Sequence, residues 1–371
     1  MKLLIISHTP HYYNKDGILV SWGSTAREIN HLLDIFESII HVAPLCEGLP
    51  PNNLLPYTSD RISFRPIHAT GGHSFKDKMG VLLYAPNTLR IVAIALNESD
   101  IFQFRAPTGI GVYLIPYLLC LSKKGWFKYA GNWVQKCPPV GYSIQRFYLS
   151  RTKRIVTING HWPNQKHNQL SFENPCLSEE DCLNGMNSMK NKRYDGVLNF
   201  VFVGRLEDAK GIQRILDAFI SLGPNNRIGK IHLVGDGIER KRYELFANSH
   251  GLNKVVFHGY LPNYEVNNIY AQSHIIILPS VSEGFPKVIA EGCNYGCIPL
   301  VSDISCIGQY VKQGVNGFLI DISDAKSVEK AIRNCLSNRN LPLMAENAHQ
   351  CATLFTYSRY NERITSYLIS E

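Results

Sequence analysis

The chain has no apolar run long enough to cross a bilayer as a helix, so membrane-spanning helices are not expected. Its opening stretch, Met1-Lys-Leu-Leu-Ile-Ile-Ser7, is too short for a signal peptide and reads as a first strand. No Cys-x2-Cys pair occurs among the ten cysteines. Cys293 and Cys297 stand four apart, but no histidine or further cysteine lies near them at zinc-site spacing, so free thiols in a reducing compartment are expected. His161 and His167 likewise have no third ligand to complete a metal site. No Gly-x-Gly-x-x-Gly follows the first strand, which removes the main support for a dinucleotide fold. The usual RNA and DNA motifs are missing as well, so a nucleic-acid partner is not expected.

Acidic residues are scarce in one half only. Residues 1–170 carry 18 Lys and Arg against 9 Asp and Glu, a net of +9, whereas the rest carries 20 against 21, a net of −1. Charge alone suggests an anionic partner for the first half, whether membrane surface, nucleic acid or phosphorylated acceptor, the second disfavoured by the missing motifs. With 45% hydrophobic and 18% charged residues over 371 positions, the composition is that of a soluble globular protein of two domains.

What the sequence does contain is a series of strand–loop–helix units. In the first half, Leu3–Ser7 is a strand, His8 to Ser24 a long loop, Thr25–Phe36 a helix and Ser38–Val42 a strand. Asp100–Arg105, Val112–Leu121 and Trp126–Ala130 then read as strand, helix, strand, a βαβ unit closing on Gly131 and Asn132. Arg154–Ile158 is the last strand expected there. A polar stretch without apolar period, 178–195, marks the boundary.

The second half carries the sharper motifs. Strand Leu198–Val203 ends in Gly204-Arg205-Leu206, and Lys210-Gly211 opens a helix. Two cations at a strand-to-helix turn, beside the partial positive charge of a helix start, suit a diphosphate. Strand Val255–Phe257 ends at His258-Gly259-Tyr260. Strand Ile275–Leu278 leads to Glu283-Gly284-Phe285-Pro286, where proline occupies the first helical position. The helix runs to about Tyr295, with Gly296 as a left-handed stop, and strand Ile298–Val301 follows. Glu291 lies in that helix, eight positions after Glu283. Amides near Gly284 and Phe285 suit an anion or a sugar hydroxyl, and Glu291 suits a vicinal diol.

Glu-Gly-Phe-Pro-x4-Glu-Gly resembles the Glu-x7-Glu motif of retaining glycosyltransferase family 4, and Gly-Arg-Leu-x3-Lys-Gly resembles that family's phosphate-binding signature. The resemblance is strongest over residues 198–321. It implies an α/β GT-B fold, two Rossmann-like βαβ domains facing across a cleft. The domains expected are 1–172 on the acceptor side, a linker 173–197, a nucleotide-sugar domain 198–352, and a terminal helix 353–371 packing back on the first domain. It implies transfer of a sugar from a UDP- or GDP-sugar to an acceptor hydroxyl with retention, in polysaccharide or lipid-linked glycan assembly.

On that resemblance, Arg205, Lys210 and Glu283 are the catalytic residues. Gly204, Tyr260, Gly284, Phe285 and Glu291 bind the donor. Acceptor-side candidates are Trp22, Gly23, Arg105 and Asn132; where several members of the family have a histidine, this chain has Gly131 and Asn132. No cofactor and no metal is expected. The partners would be a nucleotide sugar and a saccharide or lipid-linked acceptor, in the cytoplasm, with a peripheral contact to anionic membrane left open. A GT-B nucleotide-sugar epimerase and a non-catalytic nucleotide-sugar binder stay open as alternatives.

Overall fold

A computed structural model describes residues 1–48, 50–51, 54–70 and 75–369, with the side chains of 75–78 outside the description. The chain divides into two compact units, Met1–Asn174 with Arg359–Glu371, and Pro175–Ser358.

The first unit is built on one sheet. Its parallel part runs, in spatial order, Gln169–Ser171, Val156–Ile158, Gly125–Tyr129, Ile101–Ala106, Lys2–Ile6, Ser38–Leu45. Strand Ile62–His68 pairs parallel with Ser38–Leu45 as well. Because successive strand residues point to opposite faces, Leu4 and Ile6 join one core with Phe104 and Phe127. Leu3 and Ile5 join the other, with Ile29, Leu32 and Phe36. All four are fully buried, which is why this short run is apolar throughout rather than alternating. Tyr360, Ile364 and Leu368 of the terminal segment complete the second core.

Several boundaries differ from the sequence reading. The loop expected over 8–24 contains a hairpin, His11–Tyr13 with Leu19–Trp22, and the helix begins at Gly23 and ends at Leu32. The hairpin turn is held by Asn14, whose Oδ1 accepts the amides of Asp16 and Ile18. A strand beyond Val156–Ile158 was not expected, yet Gln169–Ser171 pairs with it. The stretch read as a linker is the largest correction. Residues 175–197 fall in the second unit, and 179–190 form a helix with a full capping box between Ser178 and Asp181. Its Gly185 lies against Asn294, where a Cβ would come within 2.4 Å of the asparagine carbonyl oxygen. Few apolar residues are needed at so close an approach, so the helix has no apolar period to read.

The second unit is a six-stranded sheet in the order Val255–Gly259, Ile228–Val234, Leu198–Val203, Ile275–Leu278, Ile298–Ser302, Phe318–Ile320, every pairing parallel. From Leu198–Val203 the chain builds outward to one side, then returns to place Ile275–Leu278 on the other. That reversal is a topological switch point, and in open parallel sheets ligands bind beyond the carboxyl ends of the strands at such a point. Here those ends carry the loops 204–211 and 279–286.

Among the described residues, no helix is long and apolar enough to cross a membrane. None of the ten cysteines is in a disulfide.

Candidate active site

The two loops at the switch point are joined backbone to backbone. After Leu198–Val203 the chain turns through a 3-10 turn, Asp208–Lys210, and Gly211 caps the helix Ile212–Leu222 with φ of +77. A Cβ on Gly211 would stand 2.2 Å from the Pro279 carbonyl oxygen, so only glycine fits both the angle and the contact. The Val281 amide donates to the Ala209 carbonyl at 2.9 Å. These contacts bring Lys210 Nζ to 2.5 Å from Glu283 Oε1, with the two side chains 22% and 11% exposed. Sequence reasoning gave these residues separate tasks; in the structure they form one ion pair.

A third loop adds to the cradle. Gly235 has φ of +123, and a Cβ there would be 1.9 Å from the Gly204 carbonyl oxygen. The Gly204 amide donates to Val234 and the Gly235 amide to Gly259. Tyr260 follows directly and is partly exposed. Three strand ends thus approach at backbone distance, leaving main chain rather than side chains to form the floor.

The loop before the second glutamate is fixed from below. Phe285 is buried, stacked on Phe355 at 4.4 Å and edge-on to Tyr310 at 5.0 Å. Its ring is therefore core, and its contribution to a ligand can come only from the main chain. The Cys306 thiol donates to the Gly284 carbonyl at 3.6 Å. Helix Lys287–Asn294 follows, with Pro286 at its N-cap, one position earlier than the first helical residue expected. Gly296 takes the left-handed conformation, as the sequence indicated. Glu291 lies in the second turn, half-buried, and the Tyr270 hydroxyl donates to its Oε2 at 3.4 Å. Burial, and then the nearby Glu291 charge, hold the Tyr270 phenol well above its ordinary range.

Arg205 stands apart from that pair. Its side chain is 67% exposed and forms an ion pair with Glu207 at 3.0 Å.

In the first unit the four acceptor-side candidates do not contact one another among the described hydrogen bonds and ion pairs. Trp22 is exposed at the end of its strand, and Gly23 starts the next helix. Asn132 sits in a turn, its Oδ1 accepting the Val134 amide. Arg105 is buried and turned inward, donating to Gln103 at 2.8 Å and Glu28 at 3.0 Å. Lys128 donates to the same Glu28 oxygen at 2.6 Å. Burial lowers the Lys128 ammonium to about 8, Glu28 opposing the shift and Arg105 adding to it. Arg105 is thus engaged inside a buried charge cluster, rather than presented as a surface contact. Sequence reasoning missed Glu28 and Lys128, which lie 100 positions apart with no shared motif.

Two α/β units of Rossmann type are the plan of the GT-B fold. Residues 187–351 match the family model of glycosyl transferases group 1, and the matched stretch falls within the second unit. An uncharacterized glycosyltransferase of Methanocaldococcus jannaschii is 27% identical over 217 residues, 58% of each chain. The lipopolysaccharide 1,6-galactosyltransferase of Salmonella typhimurium is 29% identical over 129 residues, 32% of this chain and 34% of that one. The matched stretches thus span about six-tenths and one-third of those relatives. Among solved structures, Anabaena HepE in complex with UDP and glucose superposes with a TM-score of 0.71, covering 100% of both chains at 17% identity.

Proposed function

We propose that the chain transfers a hexosyl group from a UDP- or GDP-sugar to a hydroxyl of a saccharide or lipid-linked acceptor, with retention at the anomeric carbon and without a metal. The observation that carries this reading is the Lys210–Glu283 pair on glycine-joined loops at the switch point. An ammonium has three donors, so one bond to Glu283 leaves two for diphosphate oxygens. Arg205 supplies the second cation from the neighbouring turn.

In this mechanism the anomeric carbon–oxygen bond to the diphosphate breaks, and its electron pair leaves on the phosphate oxygen. Lys210 and Arg205 stabilise the charge that grows there, where a preorganised cation is worth most. The acceptor oxygen bonds to the anomeric carbon from the same face, and its proton passes to the departing diphosphate. Glu283, with the amides of Gly284 and Phe285, grips the sugar hydroxyls, and Glu291 accepts the ribose hydroxyls. The similarity to a lipopolysaccharide galactosyltransferase and to a structure holding UDP and glucose supports a sugar nucleotide and a glycan product.

Thermal-shift measurements against UDP-, GDP- and ADP-sugars test the donor, because bound ligand raises the melting point by mass action. A shift with UDP- or GDP-sugar, and nucleoside diphosphate release that survives EDTA, is the expected result. Absence of any shift across the panel, or activity lost to EDTA and restored by magnesium, would contradict the proposal.

A further inference from the structure

From Ile101 to Phe172 the chain contains no aspartate or glutamate and ten lysines and arginines. Seventy-two residues without an acid concentrate the first half's positive charge on a few elements. One of them, the helix Val140–Arg151, presents an unusual outward face. Val140, Ile144, Phe147 and Tyr148 are all exposed, Val140 at 77% and Phe147 at 53%. At 100° per residue these positions and Arg151 fall within one arc of about a quarter turn. The opposite side of the helix is buried through Gln145 and Leu149, so the apolar stripe is surplus to the core.

The charge sits at one end of that stripe. The Arg151 guanidinium lies 3.8 Å from the centre of the Phe147 ring. Lys153 is exposed two residues past the helix end, and the Lys166 ammonium donates to the Ser150 carbonyl in the last turn at 2.7 Å. Arg154, by contrast, is committed to the carbonyls of Lys123 and Leu121. An apolar face with cations at its rim and aromatic rings beneath them is the composition of a helix lying in the plane of a bilayer interface. A protein partner of ordinary composition would not require so complete an exclusion of acids.

We infer that the outward face of Val140–Arg151 docks on the headgroup region of an anionic lipid surface, with Ile144 and Phe147 inserted and Arg151 and Lys153 on the phosphates. Its usefulness rests on the transferase reading, since it would bring the enzyme to a lipid-linked acceptor. The docking itself does not depend on catalysis.

Flotation with phosphatidylcholine vesicles, with and without phosphatidylglycerol, tests it. The full chain should float with the mixed vesicles, far less with phosphatidylcholine alone, and the difference should shrink at high salt. Ile144→Ser with Phe147→Ser alters only exposed side chains and should lower binding about tenfold or more. Arg151→Glu with Lys153→Glu should remove the salt-sensitive part. Donor-induced thermal shift should be unchanged in both variants, which separates loss of docking from loss of the transferase site. Equal binding by wild type and the serine variant would overturn the proposal. So would a wild type that is dimeric in solution and becomes monomeric in that variant, because a second copy would then cover the face.

Discussion

Lys210 and Glu283 are the residues on which most of the functional reading turns, and their pairing makes its consequences specific. Removing the ammonium leaves a largely buried carboxylate without its partner and the diphosphate without its cation. Glu291→Gln is a milder change: it keeps shape and the Tyr270 contact but weakens an acceptor of ribose hydroxyls. The expected result for Glu291→Gln is weaker donor binding with a smaller effect on turnover, checked by calorimetric titration of the donor beside steady-state rates. Both glutamates and Lys210 were singled out in the sequence through the Glu-x7-Glu and Gly-Arg-Leu-x3-Lys-Gly motifs. Their direct contact was not, since 73 positions separate them and no local pattern encodes that distance.

At the scale of elements, the glycine-joined loops and a buried hydrogen-bond ring each lead to a prediction. Gly235→Ala places a side chain at positive φ and against the Gly204 carbonyl, so a loss of roughly 2 kcal/mol or more is expected in urea unfolding. The ring lies in the first unit. His11 Nδ1 is 2.8 Å from the Thr9 carbonyl, which can only accept, so this nitrogen carries the hydrogen. His11 Nε2 then accepts from the Tyr57 hydroxyl, and Tyr57 in turn accepts from His41 Nδ1. His41 Nε2 accepts from Ser7, and Ser7 Oγ accepts the Thr9 amide. The ring closes with both imidazoles neutral. Burial holds His11 at about 4, from an ordinary 6.5, and His41 well below it.

Depressed values mean that the unfolded chain binds more protons. The stabilisation is therefore complete above about pH 6.5 and is lost as pH falls toward 4, at roughly 1.4 kcal/mol per pH unit for each histidine. Urea midpoints measured between pH 7 and pH 4.5 should show this slope. Replacing His11 by Asn should flatten part of it, and an unchanged slope would show that the ring does not govern the acid limb. Sequence reading placed His11 and Tyr13 in a loop, because three- and four-residue strands are too short to show a period. Buried strands such as Lys2–Ile6 and Ile275–Leu278 were visible for the opposite reason, as unbroken apolar runs closed by turn residues.

For the whole molecule, the two-unit α/β plan followed from strand–helix alternation, whereas the boundary inside 173–197 did not. A capped helix with Leu183 exposed and Gly185 in close contact has no apolar stripe to announce it. The charge asymmetry has a structural counterpart: the acid-free segment 101–172 lies in the first unit, and the donor site is assigned to the second. The central claim is that Lys210 stabilises a departing nucleoside diphosphate. Turnover of Lys210→Ala at saturating UDP- or GDP-sugar, with its folding confirmed by thermal melting, tests that claim most directly. The expected result is a fall on the order of a hundredfold or more in the rate of nucleoside diphosphate release. A folded Lys210→Ala enzyme turning over at the wild-type rate would contradict it.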